Sequence, residues 1–446
     1  MSDFDPFASD APLIVYFDIK SPYAFIAKDP TLALADELGI AIDWRPLTLD
    51  IPSYLGSARL NASGGVASST RTPEQWSGVR YAYMDARRYG SAYGYTLRGT
   101  TKIWDTSLIH IAFAWVKREG DDQAQRRFLD AAYPAFWRRE LDVEDPQVAH
   151  ACIENTGVSA RGFAAWAGHE GRAEHDAQQA AVFAAGVYGV PGYVVNGEFF
   201  FGREHLPAIG ALLGGRSRRE PLIDVGNPLP ALDGLPGEGA HRVFADLRAQ
   251  AAQGELEVLA ALDFGCADSR RAAERLLELE TGSGGRLRVT WLPHSSRPAK
   301  SFPEPDADGS RGDWHRYHRA RYRLLDRRRY LGAGADTSAD PEQPQSVEWA
   351  AQALLRLNAR APDQVGKRLL DLFARASQPS SQVAEFAALL DDDAGDWLGS
   401  AAAQAAQAEA AERLIEAGVS EAFGFAAGGA PFVGRQHLAA LEWALR

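Results

Sequence analysis

The segment "YFDIKSPYAFI", residues 16 to 26, is where the chain first offers chemistry. An apolar extended run meets Ser21-Pro22 and turns amphipathic, so Ser21 stands where a helix begins. Its hydroxyl fits two roles. It is the residue type that caps a helix, and it is also placed to act on an anion, because a helix N-terminus offers unpaired N–H groups and partial positive charge. The chain has two cysteines, Cys152 and Cys266, far apart and never as C-x-x-C. Dithiol exchange within one motif and a disulfide scaffold are thereby excluded, and a reducing cytoplasm is the expected location. Cys266 lies in "GCADS", a C-x-x-S arrangement at a second expected helix start. A lowered thiol pKa and a monothiol redox role is one reading there, a buried idle thiol the other. Cys152, in "AHACIENTG", reads as a small core residue. His169 and His175 in "HEGRAEH" lack the H-E-x-x-H spacing of a zinc site, and no phosphate-cradling G-x-x-x-x-G-K-[ST] occurs, so no metal is expected.

The elements that must hold these residues follow from periodicity. "LIVYFDI" suits a buried strand. Residues 22 to 38 follow as a helix, with Phe25, Ile26, Asp29 and Leu32 at helical spacing and Gly39 as its stop, and "IAIDWRPL" is a second strand. A long helical block is predicted from about Glu74 to Ala185, in which Leu108, Ile111, Ala112, Trp115 and Val116 share one apolar face. "GYVVNGEFFF" sets two β-rich runs around Asn196-Gly197, a strong hairpin signal, and Arg203 to Leu213 reads as a closing helix. The tyrosines 81, 83, 89, 93 and 95 read either as core or as the lining of a pocket for a flat substrate.

With 446 residues, 46% hydrophobic and 24% charged, the chain has length for two domains. A net charge of -12 argues against nucleic acid as a partner. The one basic run, Arg311 to Arg329, contains aspartates and reads as a helix with a solvated face. The acidic start "MSDFDPFASDAPL" lacks the features of a signal peptide, and no apolar run approaches the ~20 residues of a membrane span.

The chain also repeats itself. "RYAYMDARRY" (80 to 89) returns as "RYRLLDRRRY" (321 to 330), and "DQAQRRFLD" (122 to 130) as "DQVGKRLLD" (363 to 371). "GVYGVPGYVVNGEFFFGREHL" (186 to 206) aligns without gaps to "GVSEAFGFAAGGAPFVGRQHL" (418 to 438), and "FDIKSPYAFIA" meets "LDFGCADSRRA". The expectation is α/β architecture with two tandem domains, residues 1–213 and 241–446, each with a helical insertion, joined by a Gly- and Pro-rich linker at 214–240. Asp85 and Arg88 recur as Asp326 and Arg329, which favours a buried structural pair. Arg203 and His205 recur as Arg435 and His437, whereas Ser21 becomes Cys266, Pro191 becomes Phe423 and Glu204 becomes Gln436. The second copy is therefore expected to be degenerate.

Both copies resemble the DsbA-type variant of the thioredoxin fold. The first is similar to its glutathione-using branch, the 2-hydroxychromene-2-carboxylate isomerases and kappa-class glutathione transferases, through "YFDIKSPYAFIA", "MDARRYGSAYG" and "GVYGVPGYVVNGEFFFGREHL". The resemblance implies that Ser21 hydrogen-bonds the sulfur of bound glutathione, which would be the cofactor. It implies a cis Pro191 that turns the Val190 backbone toward the cysteinyl part of that ligand. Arg203 and Glu204 stand where the γ-glutamyl end is held, and Asp105 or Thr106, aided by Lys102 and Trp104, where a polar side chain of the insertion reaches the ligand. The implied activity is glutathione-dependent isomerisation or transfer on a small, electrophilic, aromatic compound. The alternatives are a monothiol oxidoreductase at Cys266 and a non-catalytic binding scaffold. A tandem copy would make the chain a pseudo-dimeric monomer; the other expected state is a homodimer.

Overall fold

The computed structural model describes residues 4–61, 63, 65–214, 242–294, 302–331, 345–378, 380–390 and 395–446. Beyond Gly214 the expected linker lies outside the described residues. The chain divides into two compact units, the first taking the described residues up to Gly214 together with residues 302–321, the second the remainder. Among the described residues no helix is long and apolar enough to cross a membrane.

The first unit opens with β1 (Leu13–Phe17), α1 (Pro22–Leu38) and β2 (Ile42–Pro46). A single turn α2 (Ile51–Leu55) and a small exposed hairpin, β3 (Ala58–Leu60) with β4 (Val66–Ser69), come next. The helical insertion is α3 (Pro73–Ala92), α4 (Ser107–Glu119), α5 (Asp122–Trp137), α6 (Pro146–Glu154), α7 (Phe163–Gly168) and α8 (Glu170–Ala184). The chain returns through β5 (Gly192–Val195), β6 (Glu198–Phe201), a 3-10 turn at Arg203–His205 and α9 (Leu206–Leu213). The sheet runs β2-β1-β5-β6, with β1 parallel to β2 and antiparallel to β5. Asn196 and Gly197 both take positive φ, 52° and 76°, and close the hairpin between Val195 and Glu198. That twist is the one a two-residue connection needs.

Aromatic side chains pack the insertion onto the sheet. Phe25 of α1 stacks on Tyr133 of α5 with ring centroids 5.3 Å apart, and Phe17 of β1 meets Phe113 of α4 edge-on at 5.0 Å. Helix α4 buries the expected Ile111, Ala112, Trp115 and Val116, and also Ile109, His110 and Phe113, so most of its circumference is interior. The predicted helical block is broken by an irregular run at residues 94–106, and the β3–β4 hairpin has no sequence signal of alternating apolar residues. Residues 302–321 pack within this unit: His315 stacks on Tyr54 with centroids 3.7 Å apart, and Arg311 lies 4.0 Å from the Phe183 ring.

The second unit contains α10 (Arg242–Gln253), β7 (Leu256–Leu262), α11 (Ala267–Gly282), β8 (Leu287–Pro293) and the later turns of α12 (Arg311–Leu331). It continues with α13 (Gln345–Arg360), α14 (Val365–Ala376), α15 (Val383–Ala387), α16 (Ala401–Glu416), β9 (Gly424–Ala427), β10 (Ala430–Val433) and α17 (Leu438–Leu445). Its sheet runs β8-β7-β9-β10, with β7 parallel to β8 and antiparallel to β9. Strand order and directions thus match those of the first sheet.

Helix α1 ends as the sequence predicts. Gly39 adopts φ 64°, ψ 36°, and its N–H bonds back to Ala35 and Asp36. A side chain there costs ~1–2 kcal/mol in the left-handed region. Gly39→Ala is expected to lower the thermal midpoint of the first unit by a few degrees with the far-ultraviolet spectrum unchanged; an unchanged midpoint would contradict this account of the helix end.

Candidate active site

Ser21 is the N-cap of α1, with φ -87° and ψ 117°, and its Oγ accepts a hydrogen bond from Ala24 N–H at 3.2 Å. Pro22 follows at the first helical position, where its missing N–H is no loss. The residue is buried, and its own hydroxyl proton has no acceptor among the described residues. Capping uses a lone pair, so the O–H remains able to donate. Both roles read from the sequence are therefore compatible at one atom.

The turn that presents Ser21 is fixed from beneath by a buried carboxylate. Asp18 Oδ1 accepts from Lys20 N–H at 3.1 Å and from the Thr106 hydroxyl at 2.8 Å, and Oδ2 accepts from Leu49 N–H at 2.8 Å. Lys20 Nζ lies 3.5 Å from the same group and His110 Nε2 3.4 Å. Burial pushes the Asp18 carboxyl up, but Lys20, His110 and the Leu49 N–H together outweigh it and hold it well below the ordinary range. His110 extends the network: its Nδ1 is 2.7 Å from the Thr48 hydroxyl, which lies 3.1 Å from His175 Nε2. From α5, Tyr133 donates to the Asp18 carbonyl at 3.2 Å and Trp137 to the Ile19 carbonyl at 3.1 Å. Ser21 N–H closes the turn onto the Asp18 carbonyl at 3.0 Å.

Next to this turn lies the start of β5. Tyr16 pairs with Gly192 across the two strands, so Pro191 and Val190 fall beside the chain leading into Asp18. The Val190–Pro191 bond is cis. Val190 is 4% exposed, yet its backbone N–H and C=O find no hydrogen-bond partner among the described residues. The Pro191 carbonyl accepts from Gly202 N–H at 2.9 Å, which ties the 3-10 turn of Arg203 to the same corner. Arg203 is buried with its guanidinium 3.6 Å from the centre of the Tyr89 ring, and its Nη1 has no hydrogen-bond partner among the described residues. That turn also packs on α1, and Tyr23, half-buried and pushed well above its ordinary pKa by desolvation, feels both Arg203 and Glu204. Glu204 is half-buried, with its carboxylate folded toward Gly202.

Asp105 and Thr106 part company. Thr106 is fully buried and spends its hydroxyl on Asp18, so it positions the turn and is no ligand contact. This corrects the expectation from the sequence. Asp105 is exposed and accepts from Ser107 N–H at 2.9 Å, serving the start of α4. Lys20, Lys102 and Trp104 reach a cavity of about 310 Å³ whose other walls come from α3 and β3. Cys266 makes no side-chain cap hydrogen bond at the start of α11, its sulfur accepts from Arg327 Nη2 at 3.9 Å, and its pKa is pushed up to about 11, first by burial and then by Asp268. Of the two readings of that helix start, the lowered thiol pKa is not found, because desolvation and the Asp268 carboxylate outweigh the helix end and Arg327. In the second unit Arg435 bonds Asp326 at 2.6 Å, whereas Asp85 of the first unit holds Arg88 at 3.0 Å. The peptide bond before Phe423 is cis like that before Pro191.

The network around Asp18 was missed by motif reading, although a signal existed: an aspartate at the end of an apolar strand, repeated as Asp263. Asp18→Asn should cost ~3–5 kcal/mol in urea unfolding, as for one partner removed from a buried ionic cluster. Because the folded pKa is depressed, the carboxylate's contribution is complete above the unfolded value near 3.8 and is lost as pH falls below it. The variant should therefore show a shallower acid limb below pH ~4. Both thiols are pushed up to about 11, so alkylation of Cys152 and Cys266 by iodoacetamide should still be climbing above pH ~9, the unperturbed thiol range. A rate that levels off near neutrality would contradict this for the cysteine concerned.

The geometry can be set beside known proteins. The DSBA-like thioredoxin domain family matches residues 12–214. A 2-hydroxychromene-2-carboxylate isomerase of Sphingobium xenophagum is 26% identical over 203 residues, which cover 44% of this chain and 95% of that enzyme. A solved 2-hydroxychromene-2-carboxylate isomerase, in its selenomethionine form, aligns over 46% of this chain and 94% of its own with 19% identity and a TM-score of 0.37. Residues 12–214 are a DsbA-like thioredoxin domain with homology to 2-hydroxychromene-2-carboxylate isomerase.

Proposed function

We propose that the first unit binds glutathione and catalyses an isomerisation, or a transfer, on a small conjugated electrophile, in the manner of the isomerase it is similar to. The observation that carries this reading is the buried Val190 backbone beside cis Pro191, whose N–H and C=O have no partner among the described residues. Buried backbone groups are almost always paired. An extended peptide ligand would pair with both as an added strand does. The Arg203 Nη1, buried and without a hydrogen-bond partner among the described residues, supplies a donor for a carboxylate at the adjoining turn. Glutathione fits this donor set, since it carries a peptide backbone, carboxylates and a thiol.

When bound, glutathione would supply a sulfur that adds reversibly to a conjugated carbon, so that a double bond becomes single, rotates and is restored on elimination. The chain's own part is to hold that sulfur as the anion. Ser21 O–H would donate to it while the first turn of α1 adds the field of its N-terminus. Asp18 and the two α5 rings keep the Ser21 turn from shifting. The second unit is proposed to be a degenerate copy of the same domain; the shared strand order and strand directions support that. The pushed-up Cys266 pKa speaks against a redox role there.

Ser21→Ala should return the pKa of bound glutathione, followed by thiolate ultraviolet absorbance, toward its free value and slow turnover by about 10²-fold, the cost of losing one donor to a developing anion. Ser21→Asn, which keeps a helix cap, separates that effect from fraying of α1. Arg203→Gln should weaken glutathione binding by about tenfold or more in calorimetry, the cost of a lost charge-assisted hydrogen bond. Wild-type protein that gives neither heat nor a thermal shift with glutathione would refute the proposal.

A further inference from the structure

The cavity beside Lys20 holds a charge pattern that the thiol site does not use. Its volume of about 310 Å³ is of the order typical for small-molecule sites. Among the described residues five cationic side chains line it and no acidic one does, in a chain of net charge -12. Two are matched: Lys20 by Asp18, 3.5 Å away, and Lys102 by Glu144 at 2.5 Å. The other three, Arg71, Arg80 and Arg87, have no carboxylate within ion-pairing distance among the described residues. Other arginines of this unit do have carboxylate partners, among them Arg45 with Asp43, Arg88 with Asp85 and Arg126 with Asp36.

The aromatic walls hold these cations in place. Arg71 lies 5.0 Å from the centre of the Trp76 ring, Arg87 5.8 Å from that of Tyr83, and Lys102 4.2 Å from that of Trp104. Backbone carbonyls add to this: Arg71 Nε donates to Leu55 at 3.2 Å and Arg87 Nε to Leu97 at 2.9 Å. Each of these two guanidiniums keeps its outer nitrogens for a further acceptor. Arg71 is half-buried, and desolvation lowers its pKa, so an anion beside it would offset a cost that the fold alone leaves standing. Flat conjugated molecules stack on guanidinium and indole planes, and acid groups take the forked N–H pairs.

We propose that this cavity is the binding site for a flat conjugated molecule bearing two acidic groups. One acid group alone leaves at least one of the three guanidiniums without a counter-charge; a second, at the far end of the ring system, meets it. The inference rests on the proposed small-molecule chemistry only in naming this molecule the substrate, since binding needs no thiol.

The test is calorimetric titration of the full chain, without glutathione and at low salt, with a naphthalenedicarboxylate and with the corresponding naphthalenecarboxylate. The dicarboxylate should bind at least about tenfold more tightly, an advantage that ~0.5 M salt erodes. Arg80→Ala and Arg87→Ala, both at exposed positions, should each bring the two ligands close to equal affinity with the melting temperature retained. Equal affinities in the wild-type protein, an advantage untouched by both substitutions, or no binding of either acid would overturn the proposal. Dicarboxylate binding without any glutathione response would overturn the thiol reading alone, and the reverse result this inference alone.

Discussion

A carboxylate with no access to water governs the first unit. Asp18 stands at the end of β1 with 0% exposure, and a bare charge there would be prohibitively costly. It is kept by two backbone N–H groups, a threonine hydroxyl, an ammonium and an imidazole. Those partners come from three separate places in the chain: the turn itself, the segment after β2, and the start of α4. Satisfying one group thus fixes how sheet, turn and insertion meet. The serine three residues on is set by the same geometry, because its N–H returns to the Asp18 carbonyl.

Much of this architecture could be read in advance, and the reasons are local. Ser21-Pro22 and Gly39 bracket α1 because capping and left-handed φ are chemistry of single residues. Asn196-Gly197 marks its hairpin for the same reason. What escaped notice is non-local. Thr106 looked like a ligand contact because its role depends on a carboxylate 88 positions away. The sequence left Cys266 open between a lowered pKa and an idle buried thiol, because a helix start is visible in sequence and burial beside Asp268 is not. The packing of residues 302–321 into the first unit likewise has no signature in their own composition.

Several contacts of the corner at Ser21 and Pro191 have counterparts in the second unit. Cys266 N–H returns to the Asp263 carbonyl at 3.1 Å as Ser21 N–H does to that of Asp18, and Gly434 N–H to the Phe423 carbonyl at 2.9 Å as Gly202 N–H does to that of Pro191. An arginine lies over a tyrosine ring in both. The difference is in the charge around that arginine: Arg435 is neutralised by Asp326, while Arg203 keeps a buried donor without a partner among the described residues.

The two rings of α5 that bond to the Asp18 and Ile19 carbonyls sit on a different helix from the arginines lining the cavity, which belong to α3 and to the short segment leading into it. Anchoring of the serine turn and shaping of the adjoining space are therefore assigned to separate parts of the insertion. The two meet at Tyr83 of α3, which lines the cavity and packs edge-on against the Trp137 ring with centroids 5.9 Å apart, so a change in α3 that reshapes the space also bears on the anchor of the Ser21 turn.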